Sequence, residues 1–135
     1  MTVSLVIVSH SAQLAEGVAE LAGQMAQGKV AIAAAGGTSE GKLGTSVEKI
    51  LAALHEVDSP DGILILLDLG SAVMTTEMAV EAFVGGQQNH IIISSAPLVE
   101  GAVIAAVESS IGNSLHEVAE AAAEASTLPK VQSNG

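Results

Sequence analysis

The chain lacks several residue types on which common functions depend. It has no cysteine in 135 residues, which excludes disulfides, thiolate metal sites and a cysteine nucleophile. It has no arginine, and four lysines stand against 15 acidic residues for a net charge of −11, so nucleic acid and anionic membranes are poor partners. With one phenylalanine and no tryptophan or tyrosine, the chain also lacks aromatic platforms for bases or sugars.

A recognisable targeting segment is also missing. The first apolar run, residues 3–8, is too short for a signal-peptide core or a membrane span, and no basic residue precedes it. We therefore expect a cytoplasmic protein with one domain at residues 1–126 and a frayed tail at 127–135. The acidic surface would attract a basic protein partner, or it serves only to keep an alanine-rich domain soluble; composition leaves both open.

Strand-like and helix-like segments alternate along the chain. Helical spacing follows each of four apolar runs, and a fifth helix is predicted to about residue 125. The runs show no polar alternation, which is typical of strands covered on both faces, and they lie at residues 3–8, 30–35, 63–67 and 91–95. This pattern predicts a doubly wound α/β fold: a mainly parallel four-stranded sheet in the order 2-1-3-4 with helices on both faces.

Several predictions concern the ends and faces of the helices. The spacing of Thr45 and Glu48, and of Ser114 and Glu117, predicts capping boxes on the second and fifth helices. Ser71 is expected to cap the third helix. Apolar spacing predicts buried faces at Leu14, Val18, Leu21, Ala22 and Met25 on the first helix and at Met74, Met78, Ala82 and Phe83 on the third, which Gly85 and Gly86 would end.

Any chemistry is expected where the parallel strands end. In doubly wound sheets, ligands bind beyond the carboxyl ends of the strands, at the point where the strand order reverses. In the order 2-1-3-4 this point lies between the first and third strands, which lead into His10 and Asp68. A carboxylate that accepts from Nδ1 would fix the imidazole tautomer and leave the Nε2 lone pair facing outward. Position alone does not separate this role from that of an ordinary polar residue at a strand end.

Glycine-rich loops around this position favour an anion. Gly36, Gly37, Gly70 and Gly101 allow backbone amides to approach a phosphate closely, and the helices predicted to begin near Ser11 and Ser71 add favourable dipoles. No Walker motif or dinucleotide fingerprint is present.

The other candidate chemistries have weaker support in the sequence. His55, His90 and His116 lie at positions typical of surface residues, and no HExxH or comparable spacing predicts a metal site. No GxSxG elbow supports a serine hydrolase.

Five segments carry a family resemblance: LVIVSHS at 5–11, AAGGT at 34–38, LGTS at 43–46, LLDLGSA at 66–72 and APLVEGA at 96–102. Together they resemble the phosphotransferase subunit of PTS-dependent dihydroxyacetone kinase, which is similar in fold to the mannose-type enzyme IIA domains. The resemblance extends from residue 3 to about 125. The DLGS segment favours the dihydroxyacetone branch, and a mannose-type domain of a sugar-transport PTS is the alternative.

The resemblance implies a phosphocarrier whose only cofactor is a transient phosphoryl group. His10 would accept this group on Nε2 from the histidine phosphocarrier protein, with Asp68 orienting the ring, and pass it to ADP on the nucleotide-binding subunit of the kinase. It also implies a homodimer. The matched motifs contain five candidates for contact with the phosphate or a partner, namely Ser11, Gly37, Thr38, Gly70 and Ser71.

Some details stay open at this point. Certain members of the family continue into phosphocarrier and enzyme-I-like domains, so the chain as given is expected to use a separate donor. Lys42 would help to neutralise the phosphoryl group if the 36–44 loop folds over the site; otherwise the partner supplies the cation. A non-catalytic anion- or nucleotide-binding module, or a small hydrolase with His10 as general base, would use the same crevice.

Overall fold

The chain folds around one four-stranded sheet. The computed structural model describes residues 2–83 and 90–131. In this part, 3-10 turns occupy Gly70–Ala72 and Glu124–Thr127. The strands are β1 (Ser4–Ser9), β2 (Ile32–Gly36), β3 (Ile63–Leu67) and β4 (Ile91–Ile93), and the helices are α1 (Ala12–Met25), α2 (Val47–Glu56), α3 (Val73–Ala82), α4 (Leu98–Ser110) and α5 (Leu115–Ala123).

All strand pairs are parallel, and the order is β2-β1-β3-β4. The predicted order and the doubly wound α/β fold are therefore confirmed. Every residue of β1 and β3 is buried, as expected for strands covered on both faces. Because the strand order reverses between β1 and β3, the residues that follow these two strands emerge side by side at the carboxyl edge of the sheet.

Helices cover both faces of the sheet. Leu5, Ile7 and Leu64 belong to a core shared with residues of α1, α4 and α5. Val6 and Ile65, on the opposite face, belong to a second core with residues of α2 and α3. Successive strand residues point to opposite faces, so β1 and β3 contribute to both cores and are the most protected elements of the sheet.

The predicted buried face of α1 is partly wrong. The residues against the core are Ala15, Val18 and Ala22, whereas Leu14, Leu21 and Met25 are exposed. Alanine allows the helix axis to approach the sheet and α4 closely, and the larger apolar side chains then remain on the outer surface.

The predicted buried face of α3 is wrong at three of its four positions. Phe83 is buried as expected, together with Thr76 and Ala79. Ala82 and two methionines are exposed instead, with 72% of Met74 and 58% of Met78 accessible. Met74 and Met78 therefore lie on the outer surface of α3, away from the core.

The helix caps match the prediction at α5 and differ at α2. Ser114 and Glu117 form the predicted capping box at the start of α5. The N-cap of α2 is Ser46, whose hydroxyl accepts the N–H of Lys49, so the prediction of Thr45 is wrong by one residue.

Two predictions extend beyond the described residues. Gly85 and Gly86, predicted to end the third helix, lie outside them. The predicted tail, 127–135, is described only to residue 131. In the described ranges, no helix combines the length and apolar character needed to cross a membrane.

Candidate functional site

His10 follows β1 and is held by Asp68, which follows β3. The imidazole Nδ1 lies 3.0 Å from Asp68 Oδ1, and the His10 backbone N–H donates to Asp68 Oδ2 at 2.9 Å. An ionised carboxylate can only accept, so a neutral ring must carry its proton on Nδ1 and its lone pair on Nε2. The side chain of His10 is 28% exposed and that of Asp68 is 11% exposed. Because the carboxylate contacts Nδ1, Nε2 is the ring nitrogen whose lone pair remains available.

The sheet determines where these two residues meet. Val8 pairs with Leu67 in the parallel register of β1 and β3. The N–H of Asp68 then donates to the Val8 carbonyl at 3.1 Å, and the His10 N–H returns to the Asp68 carboxylate. The Asp68 side chain therefore adds one hydrogen bond beyond the last main-chain bond between β1 and β3. It fixes the backbone of His10 as well as its ring.

Hydrogen bonds keep Asp68 ionised despite its burial. Desolvation by burial raises the pKa of this carboxyl, but bonds from the His10 backbone, the His10 ring and the Ser9 hydroxyl outweigh it and hold the pKa below the ordinary value of 3.8. The carboxylate is consequently charged near neutral pH. It can balance the positive charge that the ring acquires when Nε2 forms a bond.

Ser9 completes the support of the pair, a role that the sequence pattern does not assign to it. Its hydroxyl donates to Asp68 Oδ2 at 3.0 Å and accepts the N–H of Ser11 at 3.0 Å. Ser9 is fully buried. A polar residue directly after the apolar stretch 5–8 of β1 was the available signal for this contact.

Ser71 lies on the other side of the ring from Asp68. Its Oγ is 3.0 Å from His10 Nε2, and it donates to the lone pair because the ring proton is on Nδ1. Ser71 belongs to the 3-10 turn Gly70–Ala72, and α3 begins at Val73 without a side-chain cap. The prediction that Ser71 caps the third helix is therefore wrong, because its hydroxyl is directed to His10.

The glycine-rich loop packs beside His10 with its amides engaged. The N–H of Gly37 donates to the Ser9 carbonyl at 3.2 Å, and the N–H of Thr38 donates to the Lys42 carbonyl at 2.8 Å. The N–H of Gly44 donates to the His10 carbonyl at 2.8 Å. The structure thus places Gly37 and Thr38 near the site in a loop that ties down the backbone of His10.

Free amides lie instead in the 3-10 turn. The N–H groups of Gly70 and Ser71 have no acceptor among the described residues. Ser11 differs, because its N–H bonds to Ser9 and its hydroxyl caps α1 by accepting the N–H of Leu14 at 3.2 Å. Of the five candidates for phosphate or partner contact, Ser71 has a contact with Nε2, and Gly70 and Ser71, in the same turn, have unused backbone donors.

A cavity of about 510 Å³ opens next to the histidine–aspartate pair, between the carboxyl ends of β3 and β4. Leu67, Leu69, Val73 and Ile93 form much of its apolar wall. Its lining includes two acidic residues, Asp68 and Glu77, and no lysine among the residues that the structure describes.

The other three histidines lie away from this site. The ring of His55 packs on Phe83 with the centroids 4.9 Å apart. His90 and His116 line a separate cavity with Asp61, at the amino end of the sheet. Within residues 2–83 and 90–131, no three His, Asp or Glu side chains come together in an arrangement that could hold a metal ion.

The fold and the site together define a class: an open α/β domain that presents one aspartate-oriented histidine at its topological switch point. Residues 4–119 match the family described as PTS system fructose IIA component, EIIA-man. The chain belongs to this family.

The relatives agree with this assignment. The chain is 39% identical over 133 residues to the PEP-dependent dihydroxyacetone kinase, phosphoryl donor subunit DhaM, of Klebsiella michiganensis. That match covers 96% of the chain and 28% of the relative, so the chain spans little more than a quarter of the relative's length. A shorter relative, the PEP-dependent dihydroxyacetone kinase 2, phosphoryl donor subunit DhaM, of Listeria innocua, is 38% identical over 112 residues, covering 83% of the chain and 90% of the relative.

A solved structure supports the fold independently. The protein of unknown function EF1359 superposes with a TM-score of 0.81 at 37% identity, and the match covers 92% of this chain and 95% of that one.

Proposed function

We propose that the chain is a phosphohistidine carrier that supplies phosphoryl groups to a dihydroxyacetone kinase. The single observation that carries this proposal is the His10–Asp68 contact, which leaves Nε2 unprotonated on a side chain that is 28% exposed. The names of the two DhaM relatives, each a phosphoryl donor subunit of PEP-dependent dihydroxyacetone kinase, support the same role.

In the proposed reaction, His10 Nε2 attacks the phosphorus atom of a phosphohistidine on the histidine phosphocarrier protein. The Nε2–P bond forms while the N–P bond to the donor breaks, and the proton on Nδ1 stays with His10. Asp68 balances the positive ring through its 3.0 Å contact with Nδ1. The phosphoryl group then passes to a terminal oxygen of ADP on the nucleotide-binding subunit of the kinase, which yields ATP and restores neutral His10.

Phosphoryl transfer requires in-line positioning and donors for the equatorial oxygens. The Ser71 hydroxyl lies 3.0 Å from Nε2, and the unused N–H groups of Gly70 and Ser71 belong to the same 3-10 turn, so we infer that this turn supplies donors to these oxygens. The Ser71 hydroxyl, which donates to the free Nε2, must turn to another acceptor once Nε2 is bonded to phosphorus. A phosphoryl oxygen is the nearest acceptor that the reaction would provide.

Two further features belong to the proposal. Exchange with protein partners of this kind would take place in the cytoplasm. A homodimer is proposed from the family resemblance, and the exposed Leu14, Leu21 and Met25 of α1 offer one apolar surface for it. Sedimentation equilibrium would test the dimer, and a monomer at all concentrations would contradict it.

The test is reconstitution with phosphoenolpyruvate, enzyme I and the histidine phosphocarrier protein. The expected product is an acid-labile, base-stable phosphoryl adduct that is absent in His10→Ala. His116→Ala is the matched control, because this histidine lies in α5 at the opposite end of the sheet, and it should label normally. An unlabelled wild-type chain would contradict the carrier function and leave anion binding or hydrolysis as the alternatives.

A further inference from the structure

Among the residues that the structure describes, two hydrogen bonds join α3 and the 3-10 turn before it to other parts of the chain. One is the contact of the Ser71 hydroxyl with His10 Nε2 at 3.0 Å. In the other, the Thr45 hydroxyl donates to the Thr75 hydroxyl at 3.0 Å. The remaining hydrogen bonds of this part of the structure, residues 69–83, stay within the segment. The position of Ser71 therefore depends on two polar contacts, and the second does not involve the histidine ring.

The Thr45–Thr75 bond is connected to His10 through the residue before Thr45. Gly44 donates its N–H to the His10 carbonyl at 2.8 Å. It has a φ of +143°, and a Cβ at this position would lie 2.8 Å from Thr38 Cγ2, so the backbone is closely packed here. Thr45 consequently extends from a main chain that is fixed to the residue proposed to be phosphorylated.

The two contacts act on one continuous helical segment. The 3-10 turn that contains Ser71 leads directly into α3, and Thr75 lies four residues further on, about one helical turn away. The contacts therefore close a ring that runs through His10, Gly44, Thr45, Thr75 and Ser71.

Phosphorylation would open this ring at one point. The Ser71 hydroxyl donates to the Nε2 lone pair, and that lone pair is used when the Nε2–P bond forms. Within the described residues, the Thr45–Thr75 bond is then the hydrogen bond that still ties the Ser71 segment to the backbone of His10. Both threonines are half-buried, so water competes less for their hydroxyls than at a fully exposed site.

We propose that Thr45 and Thr75 are positioning residues for phosphoryl transfer. Their bond keeps Ser71 within reach of a phosphoryl oxygen on His10 after the direct Ser71–Nε2 contact is lost. This inference rests on the proposed carrier function and leaves its covalent step unchanged. Phosphoryl transfer depends on precise placement of the groups around the phosphorus atom, and a displacement of about 1 Å lowers its rate. The threonine pair thus acts on the reaction through Ser71 and without touching the phosphoryl group.

The experiment compares Thr45→Val and Thr75→Val with Thr76→Val. Valine has nearly the shape of threonine and lacks the hydroxyl. Thr76 is the matched control, because it is the next residue of α3 and its buried hydroxyl has no partner among the described residues. The rate of His10 labelling is measured over a range of protein-donor concentrations, which separates the limiting rate from the donor concentration at half-saturation.

Thr45→Val and Thr75→Val should each lower the limiting rate about threefold, because an effect exerted through Ser71 is bounded by the roughly fivefold slowing expected for Ser71→Ala. The donor concentration at half-saturation should not change. The double valine variant should be no slower than either single variant, because the two hydroxyls act as a unit. Serine at position 45 or 75 keeps the hydroxyl and should restore the rate, and Thr76→Val should label like wild type.

The decisive comparison places Thr45→Val in the Ser71→Ala background, where it should cause no further slowing. The same slowing with and without the Ser71 hydroxyl would overturn the positioning role, since a merely structural contact would act in both backgrounds. Failure of serine to restore the rate, equal slowing in Thr76→Val, or no slowing in Thr45→Val and Thr75→Val would overturn it as well, while the carrier function stands. A wild-type chain that is not labelled would overturn the carrier function and this inference with it.

Discussion

Asp68 contacts His10 twice, through a different oxygen each time. Oδ1 faces the ring at Nδ1, and Oδ2 accepts the backbone N–H. The two contacts act on different degrees of freedom, because the first sets the tautomer and the rotation of the ring while the second anchors the main chain from which the ring extends. Replacement of this carboxylate should therefore affect chemistry and local structure separately.

The variant Asp68→Asn should abolish most phosphoryl transfer while the protein stays folded. An amide that keeps its oxygen towards Ser9 and the His10 N–H must turn its NH₂ group to Nδ1, which forces the ring proton onto Nε2 and removes the nucleophilic lone pair. We expect at least about a hundredfold slower labelling. Asp61→Asn, at the opposite end of the sheet, is the control, and near-normal transfer in Asp68→Asn would show that the aspartate does not set the tautomer.

Acid should remove the stability that Asp68 contributes. Its folded-state pKa lies below the ordinary value of 3.8, so the contribution is complete above pH 3.8 and is lost as the pH falls through the folded-state value. The difference in the free energy of unfolding between wild type and Asp68→Asn should therefore narrow below pH 3.8. Denaturant titrations between pH 5 and the acid limit of the fold measure it, and a gap that persists unchanged would refute the assignment.

Loss of the Ser71 hydroxyl should slow transfer moderately. In the free protein this hydroxyl makes a neutral bond to Nε2 worth about 1 kcal/mol, and a bond to a charged phosphoryl oxygen would be worth about 2 kcal/mol. The difference corresponds to roughly fivefold slower labelling in Ser71→Ala. Ser110→Ala, whose hydroxyl bonds to the Val107 carbonyl within α4, should label like wild type, and faster labelling of Ser71→Ala would show that the hydroxyl only masks the nucleophile.

Gly36 should not tolerate even a methyl group. A Cβ at this position would lie 2.5 Å from the Ser11 carbonyl oxygen and 2.8 Å from the Ala12 Cα, both backbone atoms. We expect Gly36→Ala to lose about 1–3 kcal/mol of unfolding free energy and to label slowly, because α1 and the residue before it must shift. Gly17→Ala, with nothing within 4 Å of its Cβ, should instead gain about 0.5–1 kcal/mol. Thermal and denaturant unfolding measure both changes, and a Gly36→Ala variant as stable as wild type would contradict the prediction.

Salt should slow encounter with a basic donor protein. The net charge of −11 produces a field that attracts such a partner and that is screened within about 8 Å at physiological ionic strength. The second-order rate of labelling by the protein donor should fall as salt rises, while the denaturation midpoint serves as the control for the fold. A rate independent of salt would exclude long-range steering.

The sheet was predictable because the same sequence pattern, an apolar run followed by a helix, occurs four times. Four apolar runs without alternation, each followed by a helix, leave few topologies once crossovers must be right-handed, and the third run, 63–67, coincides with β3. The order β2-β1-β3-β4 then brings the residues after β1 and β3 together. The proximity of His10 and Asp68 thus follows from the strand order alone, and the strand order can be predicted without knowledge of individual side-chain contacts.

The outer surfaces were less predictable. Hydrophobic spacing ranks Met74 and Met78 above Ala79, yet Ala79 is buried and both methionines are exposed, because close helix–sheet packing selects small side chains. The contacts of Ser9 and Ser71 depend on hydroxyl directions and on a 3-10 turn in place of a helix start. Hydrophobic periodicity reports neither the preference of a close helix–sheet contact for small side chains nor the direction of a hydroxyl.

The hydrogen bonds between β1 and β3 end at the Asp68 carboxylate, which holds His10. Leu69, Ser71 and Met74 belong to the segment that follows Asp68. In the proposed carrier, the nucleophile would therefore belong to the sheet scaffold, and the exposed segment after β3 would form the surface that contacts partners. Natural variation in the 69–78 segment could redirect such a domain to a new donor or acceptor without any need to rebuild the histidine, so partner choice and phosphoryl chemistry are able to evolve as separate traits.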